Sequence, residues 1–172
     1  RVDSWKAVQN LDPVRVRVVG YQFGWIYHYP GADSKFGRND PNLISSTNDL
    51  GIDYTDPNAY DDFTSSILKL PVDRPAVLKI GTKDVIHNYA IIPMRIQQDA
   101  IPGTEIPMWF TPIKTLETKV VCGQLCGEGH ANMVGSLEII TKEDYDSWFK
   151  SQTEGALKLN SPKPVVAQTA QN

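Results

Sequence analysis

Val14 to Tyr29 reads V-R-V-R-V-V-G-Y-Q-F-G-W-I-Y-H-Y, and this stretch decides the fold class. From Val14 to Val18 apolar and charged residues alternate, and from Tyr21 to Tyr29 the odd positions Tyr21, Phe23, Trp25, Tyr27 and Tyr29 are all aromatic. Successive side chains of a strand point to opposite faces, so a period of two predicts strands with one face turned to a core. Further strand-like runs follow at Ser66–Leu70, Ala76–Ile80, Val85–Ile92, Glu105–Phe110, Leu116–Val121 and Met133–Ile140. Pro71, Gly81, Pro93, the Pro102-Gly103 turn and Pro112 punctuate them. Seven or eight short strands predict an all-β sandwich or barrel. One short C-terminal helix is expected, with Thr141 as its cap, Asp144 three residues on, and Tyr145, Trp148 and Phe149 on one face.

The 172 residues carry 17 Lys and Arg against 20 Asp and Glu, a net charge of −3, with 41% hydrophobic residues and 2 Cys. That composition excludes a disordered, collagenous or disulfide-dense chain. A chain of this length buries about two-thirds of its unfolded surface, so any metal it binds serves function before stability. No run of Lys and Arg offers a footprint for nucleic acid or an anionic membrane surface. No stretch reaches the roughly 18 apolar residues of a membrane span, and the chain starts at Arg1, so targeting and membrane segments are expected upstream of a flank at 1–13. Between residues 31 and 62, Asp33, Asp40, Asp49, Asp53, Asp56, Asp61 and Asp62 fall in a Gly- and Asn-rich segment without periodicity. It reads as a solvated acidic loop inserted between strands, since the D-x-D-x-D-G spacing of a calcium loop is missing. Residues 155–172, with Pro162 and Pro164 among small and amide residues, read as a flexible tail.

The chemistry concentrates in V-C-G-Q-L-C-G-E-G-H-A-N-M, Val121 to Met133, where Cys122, Cys126, His130 and Met133 stand four, four and three residues apart. His87, in the strand-like run K-D-V-I-H-N, can be brought beside this loop by a sheet. Two cysteines four apart also suit a short-loop disulfide, and Cys₂His₂ suits tetrahedral zinc, giving a zinc-stabilised β-domain. Met133 read alone is core filling. Zinc has no use for a thioether, whereas sulfur ligands with imidazole select copper. A mononuclear blue-copper site needs one Cys. Two Cys can bridge a pair of ions, each with one His and one weaker axial ligand, so the set fits a binuclear copper centre best.

That loop, C-x-x-x-C-x-x-x-H-x-x-M, resembles the Cu-A loop of subunit II of the haem-copper cytochrome c oxidases. The likeness runs through Q-F-G-W-I-Y-H-Y-P at Gln22 to Pro30, L-P-V-x-R-P from Leu70, D-V-I-H at Asp84 to His87, Q-D-A-I-P-G at Gln98 to Gly103 and W-F-T-P at Trp109 to Pro112. The resemblance implies a cupredoxin-like Greek-key β-barrel over residues 14–154, on the periplasmic face of the cytoplasmic membrane and tethered by an N-terminal transmembrane hairpin. It implies two copper ions bridged by Cys122 and Cys126, with His87 and His130 as terminal ligands, Met133 as the weak ligand of one copper and the Gln124 carbonyl completing the other. Family members commonly carry Glu at position 124, reaching a magnesium ion at the interface with subunit I. Gln lacks that charge. Many members have Q-W-Y-W where this chain has Gln22-Phe23-Gly24-Trp25, so Phe23, with Trp25 beside it, takes the place where electrons arrive from a c-type cytochrome. Tyr27 and Tyr29 are expected in the core and His28 on the surface. The implied activity is one-electron transfer to haem in subunit I, where oxygen is reduced, with no bond chemistry on this chain. Nitrous-oxide reductase shares the ligand spacing but needs a His-rich domain that three His exclude. Quinol-oxidase subunits, copper-free structural domains, lack the ligands kept here.

Overall fold

The computed structural model describes residues 3–161. Ten strands form two five-stranded sheets. The first sheet contains β1 (Val14–Tyr21), β2 (Gly24–Tyr29), β3 (Phe63–Ser65), β5 (Ala76–Thr82) and β8 (Ile106–Phe110), in the order β3-β2-β1-β5-β8. The second contains β4 (Ile67–Pro71), β6 (His87–Ile91), β7 (Ile96–Ala100), β9 (Leu116–Cys122) and β10 (Val134–Ile140), in the order β4-β10-β9-β6-β7. The chain passes back and forth between the sheets, so β1 lies parallel to β5 and β4 parallel to β10, while the other pairs are antiparallel. The expected all-β sandwich of two sheets is therefore present.

The period of two does the work the sequence suggests. In β1, Val14, Val16 and Val18 are buried and Arg15 and Arg17 are not, and Leu78, Ile80, Leu137, Ile139 and Val120 meet them in one core between the sheets. Tyr27 and Tyr29 are fully buried there. Pro107 falls on β8, an edge strand, the place in a sheet where proline is tolerated.

Three expectations need correction. The expected C-terminal helix is present as α2 (Lys142–Asn160), but it runs past the tail boundary expected at 155. Lys142–Asp146 and Lys150–Glu154 pairs line its outer side, while Tyr145, Thr153 and Ala156 are buried and Trp148 meets the Tyr29 ring at 5.3 Å. The tail residues 162–172 lie outside the described residues. The flank 1–13 contains a one-turn helix, α1 (Trp5–Gln9), capped by Ser4 and held by a Trp5–Trp109 ring contact at 4.9 Å. His28 is not on the surface: it is fully buried, with Nε2 donating to Asp62 Oδ2 at 2.7 Å. The inserted segment is folded, not simply solvated. Leu50, Ile52 and Ala59 pack with Ile26 against Val19 and Tyr21 on the outer face of the first sheet, and Asp61 and Asp62 are buried.

Candidate metal centre

β6 and β9 pair in the second sheet with Tyr89 opposite Cys122, which sets His87, at the start of β6, beside the end of β9. The chain after Cys122 then loops through Cys126 and a single 3-10 turn at His130–Asn132 before β10 begins at Val134. The loop is pinned at its base. Gly123 N–H donates to the Asn88 carbonyl at 2.9 Å and Cys122 N–H to the Met133 carbonyl at 3.2 Å.

All six residues singled out by the sequence converge. Cys122 Sγ lies 3.8 Å from Cys126 Sγ, 3.8 Å from His87 Nδ1 and 3.1 Å from the Gln124 carbonyl oxygen. Cys126 Sγ lies 3.7 Å from His130 Nδ1 and 3.7 Å from Met133 Sδ. Both thiols are free and buried, and Met133 is 1% exposed. A sulfur separation of 3.8 Å is far beyond a disulfide bond of about 2.05 Å. It leaves space for ions between the sulfurs, since metal–thiolate bonds run near 2.3 Å.

The two imidazoles are held differently. His87 is fully buried, and its Nε2 faces Asp84 Oδ1 at 2.8 Å. Burial pushes the Asp84 carboxyl up, but donation from His87, Gln22, Val85 and Thr82 outweighs it and holds the group below the usual carboxylate range. An ionised Asp84 accepts the Nε2 proton, which fixes the tautomer and leaves the Nδ1 lone pair aimed at Cys122. His130 is half-buried, with Nδ1 toward Cys126. Burial, and then the neighbouring Cys122 thiol, pushes the Cys126 thiol up to about 11, so binding a metal there releases a proton.

The aromatic pair at the expected electron-arrival point splits. Phe23 is exposed on the turn between β1 and β2, and its ring lies on the ligand loop. A Cβ at Gly129 would stand 2.3 Å from that ring, so glycine is required for the approach. Trp25 is buried, edge-on to His87 at 5.8 Å and to Tyr89 at 4.9 Å, and offers no surface to a partner. Sequence reasoning missed Asp84 and Gln22 as supports of the site. The signal for Asp84 was its place three residues before His87 in D-V-I-H, a spacing that closes one turn back onto the imidazole.

The family profile described as "Cytochrome C oxidase subunit II, periplasmic domain" matches residues 14–140. The chain belongs to that family. Its relatives include the alternative cytochrome c oxidase subunit 2 of Bradyrhizobium diazoefficiens, 31% identical over 143 residues, covering 82% of this chain and 52% of that protein. Cytochrome c oxidase subunit 2 of Cereibacter sphaeroides is 28% identical over 166 residues, covering 89% of this chain and 54% of that protein. The chain thus spans about half the length of these subunit II relatives. The crystal structure of the periplasmic domain of subunit II of cytochrome oxidase from Bradyrhizobium japonicum superimposes with a TM-score of 0.61 at 23% identity, covering 83% of this chain and 94% of that one, which shows the shared fold. Among the described residues no helix is long and apolar enough to cross a membrane.

Proposed function

We propose that this subunit II domain is the binuclear copper electron-transfer module of a haem-copper cytochrome c oxidase. It accepts electrons singly from a c-type cytochrome and passes them to haem in subunit I, where oxygen is reduced. Residues 14–160 form the module, and residues 1–13 lead from a membrane hairpin that holds it on the periplasmic face. One observation carries the reading: the two thiols, two imidazole Nδ1 atoms, the thioether and the Gln124 carbonyl form an unbroken chain of contacts, none longer than 3.8 Å. The donor chemistry fits copper, because this many sulfur ligands beside imidazole suit it better than hard cations.

A bound copper pair would supply a one-electron carrier whose odd electron is shared over both ions. The chain's own residues do the rest. Cys122 and Cys126 lie between the two histidines and are placed to bridge. Asp84 holds the His87 ring, and the buried Cys122, Cys126, Met133 and His87 keep water from the donors. Phe23, lying on Gly127 and Gly129 between Cys126 and His130, presents an exposed ring to a donor, and Leu125, Val85 and Ile86 are further exposed apolar side chains on the ligand-bearing segments. Magnesium at the subunit interface is not part of the proposal, because Gln124 brings no carboxylate.

The test is metal analysis and paramagnetic resonance on one copper-loaded sample. Two coppers per chain with hyperfine structure from both nuclei are expected. One copper with hyperfine structure from a single nucleus overturns the reading, as does a preference for zinc with no colour.

A further inference from the structure

We propose that Gln22 is a positioning residue that braces both ligand-bearing segments of the site to the turn carrying Phe23. The inference rests on the copper reading above and concerns how the metal-free chain holds its donors. Two hydrogen bonds leave this residue in different directions. Its main-chain N–H donates to Asp84 Oδ2 at 2.7 Å, and its side-chain Nε2 donates to the Cys126 carbonyl at 2.6 Å. These contacts span 62 and 104 positions of sequence. Asp84 completes the first branch through its other oxygen, 2.8 Å from His87 Nε2.

The turn, the imidazole and the thiol segment therefore move as one body. Gly127 makes the second branch possible, since a Cβ there would stand 2.8 Å from Gln22 Nε2. The carboxamide suits the task. It supplies a neutral donor at the right length, where Glu at position 22 would set a carboxylate against a carbonyl and Leu would offer no donor. Phe23 is the next residue, so the exposed ring and the Cys126 segment are tied through a single amino acid. A site held from outside its ligands keeps its spacing when charge arrives or leaves.

Gln22→Leu and the isosteric Gln22→Glu keep the N–H to Asp84 and lose only the donation to Cys126, so they separate the two branches. In the metal-free chain, alkylation of Cys126 followed by mass spectrometry is expected to speed up on the order of tenfold, what losing one hydrogen bond of ordinary net strength gives, while Cys122 changes little. In copper-loaded protein the methylene proton couplings of Cys126 shift and those of Cys122 stay. A chelator also extracts the metal faster by a similar factor. Circular dichroism confirms the fold. The alkylation rate is read on Gln22→Leu or Gln22→Met, because the carboxylate of Gln22→Glu itself suppresses a neighbouring thiolate, and Gln22→Glu is read by the Cys126 couplings. An unchanged Cys126 rate, or equal changes at both cysteines, overturns the brace. Wild-type protein that never forms a copper pair would sink the copper reading while leaving the thiol measurement to decide the brace.

Discussion

The ligand loop at residues 122–133 and the inserted segment at 31–62 are both irregular and both rich in groups that bind metals, yet only one gathers them. In the insertion the backbone uses the carboxylates. Asp33, Asp40, Asp53 and Asp56 each accept from the N–H two residues on, at 2.7, 2.8, 3.0 and 3.1 Å, closing local turns. Asp61 accepts from Ala32 and Asp33, and Asp62 from Gly37 and His28. In the ligand loop Cys, His and Met have weak or no claims from nearby N–H groups, so their donors stay free to converge. Among the described residues the one close group of three His, Cys or carboxylate donors is His87, Cys122 and Cys126, within 4.8 Å of one another. Side-chain chemistry alone does not make a site. What the surrounding backbone leaves unused does.

The largest effect should come from removing a bridge. Cys122→Ser or Cys126→Ser replaces a soft sulfur with a hard hydroxyl in the proposed copper pair. The expected outcome is loss of the shared-electron signal, with at most one copper retained per chain, read by paramagnetic resonance and metal analysis. The fold should persist: Cys122 and Cys126 belong to the buried core cluster, but Ser nearly preserves their volume. A two-nucleus signal surviving in either variant would mean that the 3.8 Å sulfur pair is not the bridge.

The insertion should answer differently, in stability and not in metal content. Asp62→Ala leaves the buried His28 Nε2–H and the Gly37 N–H without acceptors, a cost of roughly 3 kcal/mol. A melting temperature lower by roughly 6–12 °C is expected, with the copper spectrum unchanged. A shift under 1 °C would show that the pair does not hold the segment down. The same residues give a pH dependence. Burial lowers the His28 pKa, and Arg17 adds to it, against Asp62 and Glu105, which raise it. Arg17 Nη1 can only donate, so at 3.4 Å it faces the Nδ1 lone pair, and Nε2–H goes to Asp62. Above about pH 6.5 His28 is neutral in both folded and unfolded chains and contributes no slope. Below it the unfolded chain takes up a proton that the folded chain refuses, so stability falls as pH falls, by up to about 1.4 kcal/mol per unit. Urea unfolding at pH 7.5 and 5.5 reads the slope. His28→Gln should flatten it, and an unchanged slope would assign it to other groups.

This contrast also explains what was legible beforehand. V-R-V-R-V and the aromatics Trp25, Tyr27 and Tyr29 showed their faces because β1 and β2 are central, each with one side on the core. The turn at Gln22-Phe23 breaks the alternation and leaves Tyr21 on the outer face and Phe23 exposed. β7 was missed because its inward face, Ile96, Gln98 and Ala100, carries a polar residue at its centre, so I-Q-Q-D-A shows no apolar alternation. The donor set could be read from one short loop plus His87, because strand pairing had only to bring β6 beside β9. His28 misled because it lies on the outer face of β2, which ordinarily meets water. The insertion covers that face, and nothing in its composition announces that Leu50, Ile52 and Ala59 will dock there. The length of α2 was hidden by Gly155, a weak helix former that docking against the sandwich overrides.

Gln124 gives the smallest expected effect and the finest division between backbone and side chain. Its carbonyl lies 3.1 Å from Cys122 Sγ, while its side chain is exposed between two buried cysteines. If the backbone oxygen alone is the donor, Gln124→Ala should leave copper content and spectrum nearly unchanged, since truncation keeps that carbonyl. Gln124→Glu should likewise spare the copper pair. In an assembled oxidase it should add a divalent cation, read by metal analysis, because it restores a carboxylate facing outward from the loop. Loss of copper in Gln124→Ala, with an intact circular dichroism spectrum, would show that the carboxamide holds the loop. The rule drawn from the insertion, that side chains claimed by the backbone are lost to a metal, would then run in reverse here, with a side chain setting the backbone donor in place.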